Sequence, residues 1–146
     1  MATGLQRLVR RAVLTRLKAD AALTALVPAG SIYPQAVPNE PAWPFVKLGP
    51  TGTLRLRAAC VNGGLVTVDV HAFARARVSG GQVVETAEDH ASRIGAAIET
   101  ALANNRITLE GGATADIELG DIRLLQDQEP DAFHWFAQLN ARVLAA

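Results

Sequence analysis

One stretch, residues 65–104, limits what this chain can fold into. In Leu65-Val66-Thr67-Val68-Asp69-Val70-His71-Ala72-Phe73-Ala74-Arg75, the residues Val66, Val68, Val70, Ala72 and Ala74 fall at every second position. Side chains alternate faces along a strand, so these five share one face, and that face predicts the core. After Ser79-Gly80-Gly81, the residues Ala87, Ala91, Ile94, Ala97, Ile98, Ala101 and Leu102 recur at three- and four-residue spacing, one stripe of a helix. The pattern predicts a helix beginning near Val83 or Val84, with Glu85, Glu88 and Asp89 in its first turns, where the helix dipole favours negative charge, and ending at Asn104-Asn105. A strand and a helix with one apolar face each must cover one another.

The flanking segments extend this pair. Leu5, Leu8, Val9, Ala12 and Val13 define the apolar face of a first helix whose opposite face carries Arg7, Arg10, Arg11 and Lys18; Arg16 interrupts the apolar side. Asp20 is placed to cap a second short helical turn over residues 21–27, which Pro28 and Gly30 end. Six of the seven prolines lie between Pro28 and Pro50, so this part is extended and irregular. It leads into a strand over residues 45–48, with Trp43 as an anchor packed over the core edge. Residues 53–59 alternate, with Leu54, Leu56 and Ala58 on one side and Thr53, Arg55 and Arg57 on the other. Asn62-Gly63 supplies residues that tolerate positive φ, which predicts a hairpin over about residues 51–75 with its far end projecting. Ile107-Thr108-Leu109 reads as a short strand and Glu110-Gly111-Gly112 as a turn. From 115 to 125 the alternation slips at Gly120, where one extra residue signals a β-bulge. The last strand, residues 133–144, points Phe133, Trp135, Ala137, Leu139, Ala141 and Val143 inward. The expected class is α+β: a mainly antiparallel sheet with a projecting hairpin and two main helices packed on one face.

At 146 residues the chain matches one domain, 1–146. No apolar run reaches the ~18–20 residues of a membrane span, and the N-terminus lacks the pattern of a secretory signal, so a soluble chain with no membrane partner is expected. A single cysteine, Cys60, excludes an internal disulfide and fits synthesis in a reducing cytoplasm; it reads as a small, partly buried side chain near a turn. The net charge of zero hides an asymmetry. Residues 1–77 hold ten Lys or Arg against three acids, and residues 78–146 hold four Arg against eleven acids, seven of them from Glu110 to Asp131. Such halves either neutralise each other within one domain or set a basic surface against an acidic one, which suits head-to-tail contact between identical copies. Arg55, Arg57, Arg75 and Arg77 make a candidate basic strip.

Catalytic patterns do not emerge. The sequence has no phosphate loop ending in Gly-Lys-Ser or Gly-Lys-Thr, no dinucleotide fingerprint and no His-Glu-x-x-His helix. His71, His90 and His134 fall in separate elements without metal-ligand spacing. Asp69 and His71 share a strand face, yet no serine or cysteine nucleophile stands beside them in sequence. An anion site at Gly80-Gly81 is opposed by Glu85, Glu88 and Asp89. No cofactor, metal or enzymatic activity is expected. A nucleic-acid-binding module using the first helix and the Arg strip is a reading from another class, weakened by low aromatic content and only two lysines.

The order of motifs nevertheless has a parallel. The helix over residues 5–18 followed by Lys18-Ala19-Asp20-Ala21-Ala22-Leu23-Thr24-Ala25-Leu26-Val27, then Ile32-Tyr33, Val37-Pro38 and Pro44-Phe45-Val46-Lys47-Leu48, resembles the tail completion, or tail terminator, family of tailed bacteriophages. The resemblance continues through His71-Ala72-Phe73, the helix over residues 87–102 and the last strand. The Arg-rich hairpin at residues 55–64 and the bulge near Gly120 depart from it. It implies a structural virion protein made in the bacterial host cytoplasm. In that reading a ring, expected to be a hexamer, caps the head-proximal end of the tail tube, ends its polymerisation and joins it to the head connector. Its implied partners are other copies of itself, the tube protein, the connector or stopper, and DNA passing through the channel. Arg55, Arg57, Arg75 and Arg77 would then lie on the hairpin that meets the tube, a neighbour or the DNA channel. Another connector component, such as a stopper, is the alternative within the same class.

Overall fold

The strand read from residues 65–75 lies at the centre of the molecule. The computed structural model describes residues 4–58 and 61–144, positions 57, 58, 61 and 62 through their backbone. Along the chain the elements are α1 (Leu5–Ala19), α2 (Ala21–Thr24), β1 (Ile32–Tyr33), β2 (Phe45–Ala58), β3 (Val61–Arg75), β4 (Arg77–Ser79), β5 (Gln82–Glu85), α3 (Ala87–Leu102), β6 (Asn105–Thr108), β7 (Thr114–Gln126) and β8 (Ala132–Leu144). Among the described residues, six strands form one sheet in the order β1-β2-β3-β8-β7-β6, and β4-β5 form a separate pair. β1 runs parallel to β2; the other pairings are antiparallel. α1 packs against β2 and β3, and α3 against β3, β8 and β7. The fold is therefore α+β.

Alternation decides the core as the sequence predicts. Val66, Val68, Val70, Ala72 and Ala74 are fully buried, and across the ladder they meet Ala141, Leu139, Ala137, Trp135 and Phe133 of β8. Residues paired across strands share a face, so two adjacent strands present one continuous apolar surface. α3 lays Ala91, Ile94, Gly95, Ile98 and Leu102 on it, and α1 adds Leu5, Val9, Val13 and Leu17. The contact at Gly95 is so close that a Cβ there would lie 2.3–2.5 Å from three atoms of the Trp135 indole. The break that Arg16 makes in the apolar stripe of α1 has a purpose. Its Nε donates to the Ala101 carbonyl oxygen at 2.7 Å, partnering one of the carbonyls that the last turn of a helix leaves free. Asp20 caps α2, its carboxylate accepting from the Leu23 N–H at 2.8 Å.

Three sequence expectations shift. The helix does not start at Val83 or Val84: both belong to β5, which pairs with β4 through Val78 and Val83. Gly80 and Gly81, at φ 58° and 77°, close the two-residue turn between them, in the conformation a twisted hairpin requires. Thr86 instead caps α3, its hydroxyl accepting from the Asp89 N–H at 3.2 Å. Asn62-Gly63 is not the turn of the longer hairpin either. Asn62 pairs with Arg57 and Gly63 with Leu56 inside β3, and Gly63 is required because a Cβ would sit 2.2 Å from the Val143 carbonyl oxygen of β8. The turn itself, with Cys60, falls outside the described residues.

The third shift is one of phase. β2 carries a register irregularity between Leu48 and Thr51, so Val46 and Leu48 face the helices before it, and Thr51 and Thr53 share their face with Val68 and Val66 after it. Leu54 therefore lies on the opposite face and is 64% exposed. The bulge read at Gly120 is present, as a register shift between Leu119 and Ile122.

Gly95→Ala tests the α3 contact. In an open helix that change stabilises by roughly 0.5–1 kcal/mol. Here the collision with a nearly buried indole should reverse the sign and cost about 1–3 kcal/mol, read as a lower denaturant midpoint. Trp135→Phe in the same chain should recover part of the loss.

Candidate assembly surfaces

The four arginines singled out in the sequence do not form one strip. Arg55 pairs with Gly64 near one end of the β2–β3 hairpin, whereas Arg75 lies eleven residues further along β3, about 36 Å at ~3.3 Å per residue, opposite Ala132. They also occupy opposite faces. Gly64 faces α1, where a Cβ would meet Leu5, so its partner Arg55 takes the helix side. Arg75 follows Phe73 and His71 on the open side, its guanidinium 4.2 Å from the Trp43 ring centroid and paired with Glu129. Arg77 lies 3.6 Å from Glu85, whose carboxylate also takes two hydrogen bonds from Arg93, at 2.8 and 2.9 Å. Those bonds, more than the other nearby cations, hold the Glu85 carboxyl below its ordinary range. Arg57 is described by its backbone, in β2 opposite Asn62. The charge halves partly neutralise within the chain, through Arg11–Glu110 at 2.8 Å and Arg75–Glu129.

The sheet face away from the helices is plated with rings. Phe45 stacks on Phe73 with centroids 4.8 Å apart, and Phe73 on His134 at 4.2 Å. Trp43 sets its edge against Phe45 at 5.0 Å. The expected core-edge anchor thus belongs to this outer face. The two histidines meet: His71 Nδ1 and His134 Nε2 are 2.6 Å apart, which requires one ring to donate and the other to accept. Sequence separation hid this pairing, although alternation in β3 and β8 placed both on outward positions. Burial first, then the nearness of His134 and Lys47, pushes His71 down to about 4. His134 is also lowered, chiefly by burial, with Lys47 adding to it and Asp127 opposing. Burial raises the Asp69 carboxyl. His71 thus meets His134 across the ladder, while Asp69 shares its strand face. Among the described residues no group of three His, Cys, Asp or Glu is placed to hold a metal ion. His90 is occupied with the Arg75 carbonyl oxygen, 2.7 Å from its Nδ1.

Other exposed features escaped the sequence. Val78, Val83 and Val84 stand on the β4–β5 pair at 57–62% exposure, and Ile122, Leu124 and Leu125 are 39–47% exposed near the end of β7. Their β-branched and leucine patterns look like core, and only the sheet order shows that they lie beyond it. No described helix is long and apolar enough to cross a membrane.

The profile of the family described as Tail completion protein gp17 matches residues 11–144. The chain belongs to this family. As a member, it is a structural protein of a phage-type tail. Its fold is similar to that of a chain from the virion of a native gene transfer agent particle: TM-score 0.77, 22% identity, 99% of this chain and 100% of that one. A second solved structure is similar with TM-score 0.50 and 16% identity, over 97% of this chain and 96% of that one. No curated protein sequence matches at a significant level.

The histidine pair gives this tail completion protein an acid-sensitive face. A histidine lowered to about 4 in the fold from its ordinary 6.5 binds its proton more readily when unfolded. Its contribution is complete above pH 6.5 and is lost as pH falls from there through 4. From pH 7 to 5 the loss is on the order of 1 kcal/mol, after discounting for partial solvent screening. Urea unfolding at the two pH values should show it, and His71→Phe should flatten the difference.

Proposed function

We propose that this chain, as one domain over residues 1–146, forms a ring at the head-proximal end of a phage-type tail tube, ends tube polymerisation there and joins the tail to the head connector. The family match over residues 11–144 is the observation that carries this reading. A hexamer is the proposed ring order, and the head-tail junction the proposed place in the virion. Further support comes from the surface. An exposed apolar patch on a small domain signals a partner, and this chain exposes such residues on both β4–β5 and β7.

The mechanism needs no chemistry. A ring whose one face matches the last layer of the tube, and whose other face offers no further tube-like surface, stops growth by removing the next docking site. That second face then receives the connector. The far end of the β2–β3 hairpin, with Arg55 and Arg57, is the part we assign to contact with a neighbour.

Light scattering on the purified protein, alone and with its cognate tail-tube protein, tests this reading together with electron microscopy of the mixture. Particles of about six subunits, or tubes of uniform length capped at one end, are expected. A monomer that leaves tube growth unchanged would overturn it.

A further inference from the structure

The six-stranded sheet is left open along two half-edges at diagonally opposite corners. On one side β1 covers β2 only at Val46 and Lys47, so residues 51–58 have β3 as their sole strand partner among the described residues. On the other side β6 covers β7 only from Thr114 to Ile117, so residues 118–126 have β8 alone. Both runs are exposed: Thr53, Leu54 and Arg55 on β2, and every residue from Gly120 to Gln126 on β7. An uncovered strand edge presents unpaired N–H and C=O groups and is a template for another strand. Single domains blunt such edges by shortness, a cover, bulges or charge; among the described residues the free runs are neither short nor covered, and beyond the bulge between Leu119 and Ile122 the β7 run pairs regularly with β8 from 122 to 126.

The two edges match in three respects. Their lengths are similar, residues 51–58 against residues 118–126. Their directions are opposed: β2 and β7 both run antiparallel to their inner neighbours β3 and β8, and β3 is antiparallel to β8, so β2 of one copy beside β7 of a like-oriented second copy gives an antiparallel ladder. Their charges are opposite. The free run of β2 carries Arg55 and Arg57 and no acid, while that of β7 carries Glu118 and Asp121 with one cation, Arg123, which lies 3.5 Å from Asp121. Antiparallel order brings the arginine end of β2 to the Glu118 end of the β7 run, with Arg55 on the helix side and Glu118, opposite Asn140, on the outer side, so the charges meet as neighbouring strand ends and not as a cross-strand pair.

We propose that the free edge of β2, residues 51–58, pairs antiparallel with the free edge of β7, residues 118–126, of a second copy of this chain, continuing the sheet from subunit to subunit. The contact is heterologous: each copy offers one edge and accepts the other, so repetition closes into a ring or runs on as a helix. The half-edges lie at opposite ends of the sheet, which staggers successive copies along the strands as the shear of a closed barrel does. Exposed Leu54 on one edge, and Ile122, Leu124 and Leu125 on the other, would be covered by this pairing. The inference rests on the ring proposed above and names its subunit contact.

Charge reversal tests it through mixing. Arg55→Glu with Arg57→Glu makes both edges acidic, and Glu118→Arg with Asp121→Arg makes both basic. Each variant alone should need about tenfold more protein than the parent to form rings, with or without tube protein, because the adjoining edges then carry like charge. An equimolar mixture should restore ring formation, each edge meeting its opposite in alternating order. Thermal unfolding of each variant near the parental midpoint shows that the fold is intact. In the parent, amide exchange at residues 51–56 and 122–126 should slow when rings form, which reads the same contact without substitution. Rings from either variant at parental concentration, a folded mixture that stays monomeric, or edge amides slowed by tube protein alone would overturn the edge contact while the ring stands. Absence of rings from the parent in every condition would overturn both.

Discussion

The rest of the structure depends on a ladder of small, fully buried side chains along β3 and their partners on β8. Val66, Val68, Val70 and Ala72 oppose Ala141, Leu139, Ala137 and Trp135. Because most of these are short, the surface they make is smooth and helices can lie close to it. Gly95 takes that to its limit, placing the backbone of α3 against the Trp135 indole. Apolar burial of this kind is worth roughly 25 cal/mol per Å². It is the term that fixes the helices on one face and leaves the other to aromatic and histidine stacking.

That division explains which parts were legible in the sequence. Burial at period two and at period 3.6 was readable in β3, β8, α1 and α3 because in each the core contact is made by the element itself. The bulge at Gly120 was readable because it changes the phase within one run of residues. Asp20 signalled its role by its own chemistry, an acceptor ahead of a helical turn. Arg16 did not, since the carbonyl it serves belongs to α3, 85 positions away.

What stayed hidden depends on contacts between elements. Gly63 looked like a turn residue because glycine tolerates positive φ, but it is demanded by the backbone of β8 passing over it. Val83 and Val84 looked like the opening of a helix, since nothing in their neighbourhood shows that β4 is their partner. The four arginines fall at the ends of two strands joined by one hairpin, a spacing that resembles a strip. The register places Arg55 and Arg75 at different ends and on different faces. Which strand edges remain open could not be read at all, because that is a property of the order of the sheet. The family resemblance, by contrast, was legible in the spacing of weak motifs, and the profile match over residues 11–144 bears it out.

The irregularity at Gly49-Pro50 makes β2 a single strand with two allegiances. Gly49 has room for nothing more than a hydrogen, since a Cβ would lie 2.5 Å from the His71 ring. Proline follows it, offering no N–H to the ladder. Before this pair the odd-numbered side chains belong to the ringed outer face, and after it they belong to the helix side. The two residues therefore act as a half-turn in the ribbon. Losing one would leave the composition of the chain almost untouched, yet it would roll the whole distal half of the strand over, carrying Leu54 inward and Arg55 out. A frame of two residues thus sets which side chains the outer end of the hairpin shows to solvent on each face.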